Sequence, residues 1–278
     1  MNINHKLSIL NFWHDLDLGG PSFMSAQYLK PHRFERHVHD ELVITVTELG
    51  VGQAEARNLS DPVGPSSIWV SGAGEYHCGH IGNQQHWSYR AIYLDNQALQ
   101  SLSDAFMDGS DCDLIIPQGL YVDQHLSSLL IKLHRKMEAG SSRLEKEALW
   151  WSAMGLFFGR YGQQPIESTK DGIEKGKMEI VRDYIAAHFR EDIATEKLSE
   201  LTNLSSYYLI RSFKRKYGLP PHAYANQLKL IAAKQQLIEG INPAAIASDV
   251  GFYDQSHFNK LFKKTYGITP GTYSKAFN

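Results

Sequence analysis

At 278 residues the chain has room for about two domains, and 42% hydrophobic with 21% charged residues is the balance of a folded globular protein, which excludes disordered and fibrous classes. Two cysteines, Cys78 and Cys112, with no C-x-x-C spacing argue against a disulfide framework, and no apolar run reaches the roughly 18 residues of a membrane span. The net charge of −2 is unevenly divided: residues 172–278 hold 15 Lys and Arg against 10 Asp and Glu, leaving 13 against 20 before them, so only the C-terminal part suits a polyanionic partner.

The start, Met1 to Leu10, is polar and charged and lacks a signal-peptide core, which points to the cytoplasm. Over 23–94, short β-like runs alternate with Gly, Pro and Asn punctuation, the pattern of a sandwich or small barrel. The runs at 41–47, 67–70 and 87–93 are the clearest. His37-x-His39-x-Glu41 reads as the opening of a strand, with alternation placing all three on one face beside Val43 and Thr45. Gly72-Ala73-Gly74-Glu75-Tyr76-His77 follows the next run, and Arg90 lies within the third.

Helical periodicity then takes over at 97–106, 123–139 and 142–161. The helical pair over 123–161 could pack on the β-rich region with its aromatic face as core, or supply a dimer interface: Leu126, Leu129, Leu130 and Leu133 are spaced to allow packing against a twin helix, and Trp150, Trp151, Phe157 and Phe158 are too apolar for an open surface. Residues 162–172 carry breakers and no period, so they read as a linker. The expected domains are therefore 1–161, a β-rich effector-binding and dimerisation unit; 162–172, a linker; and 173–278, an all-α unit.

Beyond the linker every segment reads as helix: 174–188, a short helix capped by Thr195, another capped by Ser205 and stopped by Gly218, and a long one opened by Pro221. Asn242-Pro243 and Asp254 start two more. A pattern repeats here at an offset of 49 residues. Leu209 falls on Phe258, Phe213 on Phe262, Lys214 on Lys263, Tyr217-Gly218 on Tyr266-Gly267, Pro221 on Pro270 and Tyr224 on Tyr273. A solvated helix face has no reason to repeat together with its caps, glycines and prolines. Two helix-turn-helix units, each presenting a second helix to a major groove, account for the repeat. The outward residues on the first such helix are Tyr207, Ile210, Arg211, Lys214 and Arg215; on the second they are Gln255, Ser256, Asn259, Lys260 and Lys263. Arginine matches guanine, asparagine matches adenine, and Ile210 suits a thymine methyl. Lys214, Arg215, Lys263 and Lys264, toward the C-terminal halves, are expected on phosphates.

With Lys229-Leu230, Ala233, Ile246-Ala247, Gly251-Phe252, Gln255-Ser256, Phe258, Phe262-Lys263, Gly267 and Thr269-Pro270, the last 105 or so residues resemble the AraC/XylS family of bacterial transcription regulators. The resemblance implies a seven-helix domain whose two units are bridged by the helix from Pro221, and base-reading positions at Tyr207, Ile210 and Arg211 and at Ser256, Asn259 and Lys260. Ile210 departs from the polar residue common there. The N-terminal motifs resemble the cupin-like sensory barrel of the same family, over about residues 20–95.

Three roles compete for that barrel. One is a small-effector pocket with His37, His39, Glu41, His77 and Arg90 as polar anchors, an amino acid being the ligand expected from the resemblance. Another is a metal site on His37, His39 and His77, although the residues four and five positions after His39 are Val43 and Ile44, where a metal-dependent cupin enzyme carries its glutamate. The third is an empty barrel that mediates assembly or is gated by a protein partner. The favoured expectation is a cytoplasmic, non-enzymatic regulator with no cofactor, binding double-stranded promoter DNA as a homodimer and meeting RNA polymerase if it activates.

Overall fold

Apolar residues on both faces of the strands, rather than clean alternation, mark the N-terminal half, and the sheet they form is covered on both sides. A computed structural model describes residues 8–29, 31–56, 59–81, 86–106, 116–162 and 173–277. The chain folds as two compact units, one comprising residues 1–35 and 39–166 and the other residues 36–38 and 167–278. All but the first residue of the expected linker lies outside the described residues, as does Cys112.

The first unit contains β1 (Ser8–His14), β2 (Ser22–Tyr28), β3 (Leu42–Gly50), β4 (Gly52–Ala56), β5 (Ser60–Val63), β6 (Ser67–Ser71), β7 (His77–His80), β8 (Trp87–Leu94) and β9 (Gly119–Val122), with helices α1 (Asn96–Phe106), α2 (Gln124–Glu138) and α3 (Arg143–Tyr161). A six-stranded sheet runs in the order β1-β2-β8-β3-β6-β9 and a three-stranded sheet in the order β5-β4-β7, all neighbours antiparallel. One face of the large sheet turns Met24, Ala26, Val43, Trp69, Trp87, Tyr89 and Ala91 toward Ala54, Ala56 and Val63 of the small sheet, forming one apolar core. The opposite face turns Phe23, Ile44, Val46, Ile68, Val70, Ile92 and Leu94 toward the helices.

Leu126, Leu130 and Leu133 of α2 are fully buried in that second core, with Trp150, Phe157 and Phe158 of α3, and Leu129 packs at its edge. Of the two roles expected for this helical pair, packing on the sheet is the one the leucines take; it leaves no leucine stripe for a twin helix. Trp151 is the member of the aromatic group that remains exposed, edge-on to Phe106.

The second unit holds α4 (Ile173–His188), α5 (Thr195–Thr202), α6 (Ser206–Tyr217), α7 (Pro221–Ile238), α8 (Pro243–Asp249), α9 (Gln255–Tyr266) and α10 (Pro270–Lys275). Met178, Val181 and Ile185 of α4 pack with Leu198, Leu209, Phe213 and Ala225. Thr195 does not cap α5; it is the first helical residue, after Ala194, which makes no side-chain cap bond.

The sequence repeat is a repeat in space. Ser205 and Asp254 cap α6 and α9 in the same way, accepting from the N–H of Tyr208 and of His257. Gly218 and Gly267 end them with φ 77° and 78° and donate back to the carbonyls of Lys214 and Lys263. Phe213 meets Tyr224 edge-on at 5.5 Å, and Phe262 meets Tyr273 at 5.6 Å. Each glycine takes the left-handed conformation that stops the helix and turns the chain so that the following proline-started helix returns its tyrosine to the phenylalanine.

Candidate functional site

With Leu209 and Phe213 turned into the core, α6 leaves Tyr207, Ile210, Arg211, Lys214 and Arg215 exposed, Tyr207 to 73%. On α9, Phe258 and Phe262 are buried; Gln255, Ser256, Lys260 and Lys263 are exposed and Asn259 is half-buried. The helix N-termini and these faces therefore form two similar polar surfaces. The turns before them differ. Leu204 packs into the first core, and Phe252 is its buried counterpart, while the next residue, Tyr253, stands 96% exposed as an extra residue ahead of α9. The sequence repeat gives no signal for Tyr253, since the 49-residue offset fails across this turn.

The second turn is held from behind. Lys229 of α7 donates to the Gly251 carbonyl at 2.6 Å and lies over the Phe252 ring. Gly251 has φ +83°, and a Cβ added there would fall on the carbonyl oxygen of Arg190. The long helix thus braces the turn before α9 as well as bridging the two repeated helix pairs.

His37, His39 and Glu41 precede β3 rather than opening it, so strand alternation does not position them. In the first unit the structure nevertheless brings His39 and His77 together. The His39 and His77 rings are 5.1 Å apart, and His39 meets Tyr93 edge-on at 5.5 Å. The backbone N–H of Gly74 donates to the His39 carbonyl at 2.7 Å, fastening the two motifs together. Glu41 sits 4.0 Å from His39. Arg90 does not join them. On β8 it shares the face of Ile92 and Leu94, beneath α2, with the whole sheet between it and the Tyr89 side.

Two family descriptions match: an AraC-like ligand-binding domain over residues 20–154 and a helix-turn-helix domain over 198–276. The chain belongs to the AraC family of transcription regulators. It is 27% identical to the HTH-type transcriptional regulator YbfI of Bacillus subtilis over 81% of both chains, and 26% identical to the transcriptional activator RhaS of an Enterobacter species over 85% of this chain and 86% of that one. The regulatory protein PocR of Salmonella typhimurium is 33% identical over 37% of this chain and 34% of its own. The structure of ToxT from Vibrio cholerae with an unsaturated fatty acid bound has a TM-score of 0.54 at 15% identity, covering 99% of this chain and 97% of that one, which shows a shared fold. Among the described residues no helix is long and apolar enough to cross a membrane.

Within this AraC-type sensory domain Arg90 is the centre of a buried ionic network. Its Nε donates to Glu48 at 2.7 Å and its Nη1 to Glu138 at 2.8 Å and to His134 Nδ1 at 3.0 Å. Glu48 sits at a β-bulge between Thr47 and Leu49, which re-aims it at Arg90 and Arg135. His134 Nε2 points at the carbonyls of Met24 and Ala91, 3.1 and 3.3 Å away, so the proton sits on Nε2 and Nδ1 accepts. Desolvation, then the Arg90 charge, pushes its pKa down to about 4. The arginine partners hold Glu48 and Glu138 below the usual carboxylate range despite desolvation.

A pH dependence follows. The folded pKa of His134 lies below its unfolded value of 6.5, so the unfolded chain takes up a proton first. Stability is fully present above pH 6.5 and falls as pH drops toward 4. Between pH 7 and 5 the loss is about 2 kcal/mol, from the 1.36 kcal/mol that each pKa unit represents. Urea denaturation at the two pH values measures it, and His134→Gln is expected to flatten that slope; an unchanged slope would exclude His134 as its source.

Proposed function

We propose that this AraC-type regulator reads promoter DNA through α6 and α9, inserted in successive major-groove faces, and is controlled by a small molecule held in the β-rich unit. The observation that carries the DNA reading is the repeated geometry: two helices capped at the same position, with the same glycine stops and the same phenylalanine–tyrosine pair, each exposing a polar face. Tyr207, Ile210, Arg211, Ser256, Asn259 and Lys260 take the base edges. Lys214, Arg215, Gln255 and Lys263 take backbone phosphates. The two copies differ in chemistry: the first favours guanine and thymine-methyl contacts, the second adenine and more polar ones.

For the effector, His39, Glu41 and His77, together with Tyr93, offer the polar anchors. An amino acid loses the carboxylate partner that Arg90 would have supplied, so the ligand class rests on the imidazoles instead. The protein acts in the cytoplasm as a homodimer, contacting RNA polymerase where it activates, and as a regulator rather than an enzyme.

Arg211→Ala and Lys260→Ala test the reading. Operator affinity, followed by fluorescence anisotropy at fixed salt, is expected to fall by about 1–3 kcal/mol for each, with relaxed preference at the contacted base. Lys214→Ala is expected to weaken all sequences alike and to reduce the salt slope by about 1. Unchanged operator affinity in both base-reading variants would remove these side chains from the interface.

A further inference from the structure

The turn ahead of α9 carries a side chain that the fold leaves unpacked. Tyr253 is 96% exposed, more than any other large hydrophobic side chain among the described residues. Elsewhere in the same unit Tyr224 and Tyr273 are packed against phenylalanines. An aromatic ring left in water forgoes the area burial that makes such rings dominate cores and interfaces.

The residues on either side of Tyr253 are held fast. Phe252 is buried, packs on Phe258 at 5.4 Å and edge-on to His257 at 5.5 Å, and has the Lys229 ammonium over its ring. Asp254 caps α9 from an extended conformation, accepting from the His257 N–H at 2.7 Å. Tyr253 is thus presented from a fixed backbone, and ordering it against a partner costs only its own side-chain freedom.

The place of the turn indicates what the ring meets. In a helix-turn-helix on DNA the first helix crosses the sugar–phosphate backbone and the second enters the major groove. Here those helices are α8 and α9, so the chain between them passes from backbone to groove at the groove's rim. A side chain there meets phosphate and deoxyribose before base edges. Tyrosine hydroxyls are among the donors that bind phosphate oxygens.

We infer that Tyr253 donates its hydroxyl to a DNA phosphate at the rim of the groove that α9 enters, and so sets the register of that helix. This rests on the DNA reading proposed above. The first turn offers no equivalent: Leu204 alone separates the Asn203 C-cap from the Ser205 N-cap, and it packs on the core. The two halves of the repeat therefore differ in how they are positioned as well as in the bases they favour.

The test uses the full chain and a duplex that the parent selects from a random-sequence library, with affinity read by fluorescence anisotropy. Tyr253→Phe removes only the hydroxyl and should weaken binding by about 10-fold, as loss of a hydrogen bond to a charged group does. Tyr253→Ala should lose at least as much. Base preference and salt slope should remain those of the parent, because a phosphate carries no sequence and a neutral donor releases no counterion. Melting temperatures should also match, since the ring is unpacked. In a scan of single neutral methylphosphonates along the duplex, one position should weaken the parent and leave Tyr253→Phe unaffected. Parent-like affinity in Tyr253→Phe, beside weakened Arg211→Ala and Lys260→Ala, would overturn the assignment and leave the DNA reading standing. An altered base preference, or a lowered melting temperature in Tyr253→Phe, would overturn it too. Parent-like affinity in all four variants would remove the DNA reading itself, and the tyrosine contact with it.

Discussion

Gly251→Ala is expected to cost the DNA-binding unit about 3 kcal/mol or more and to abolish operator binding at the temperatures where the parent binds. Two effects add. The left-handed backbone at φ +83° penalises any L side chain by about 1–2 kcal/mol, and the new methyl would occupy the place of the Arg190 carbonyl oxygen. A backbone oxygen cannot rotate away as a side chain can, so the turn must move. Moving it breaks the Lys229 bond to the Gly251 carbonyl and displaces Phe252, which packs against Phe258 of the reader helix. Gly271→Ala is the internal control. It lies in α10 with nothing within 4 Å of its added Cβ, so alanine there should be neutral or stabilising by about 0.4–1 kcal/mol. Urea denaturation of both full-length variants, paired with operator titration, measures the contrast. Equal stabilities would show that the turn is not constrained as described.

The two units are legible from sequence to different degrees, for a physical reason. In the DNA-binding unit each helix is bounded by local chemistry: Ser205, Asp254, Gly218, Gly267 and the prolines act within four residues of themselves, so the sequence alone locates them. In the sensory domain the decisive information is non-local. β1 pairs Ser8 with Tyr28, and β9 exists because Gly119–Val122 finds β6; neither segment has a strong pattern of its own. The same limit misplaces the residues expected to anchor an effector. His37 and His39 lie before the strand, where no alternation applies, and His39 is brought beside His77 by a backbone bond between two turns. On β8 both faces are buried, so alternation distinguishes Tyr89 from Arg90 but does not say which side is the inner one. The leucine stripe of α2 shows the same ambiguity: an apolar helix face can meet a sheet or a twin helix, and the sheet took it.

Arg90→Ala is the second substitution with a large expected effect, and its meaning is reversed by the fold. Were Arg90 an effector anchor, its loss would leave a stable protein deaf to its ligand. Placed between β8 and α2, it instead neutralises Glu48 and Glu138 and donates to a fully buried His134. Removing one partner of a buried ionic network strands the others, at about 3–5 kcal/mol. Arg135 remains on Glu48, and Asn11 and Ser25 remain on Glu138, which places the expected loss toward the lower end of that range. For a domain of this size that lowers the melting temperature by on the order of 10 °C. Because Glu48 and Glu138 are held below the usual carboxylate range, the stability they carry is present at neutral pH and is lost as pH falls through their folded pKa values. The parent should therefore lose its advantage over Arg90→Ala in acid, where both carboxylates protonate. Melting curves of the two proteins from pH 7 down to about pH 2 would read this convergence directly. A variant that melts with the parent at pH 7 yet no longer responds to effector would return Arg90 to the ligand site.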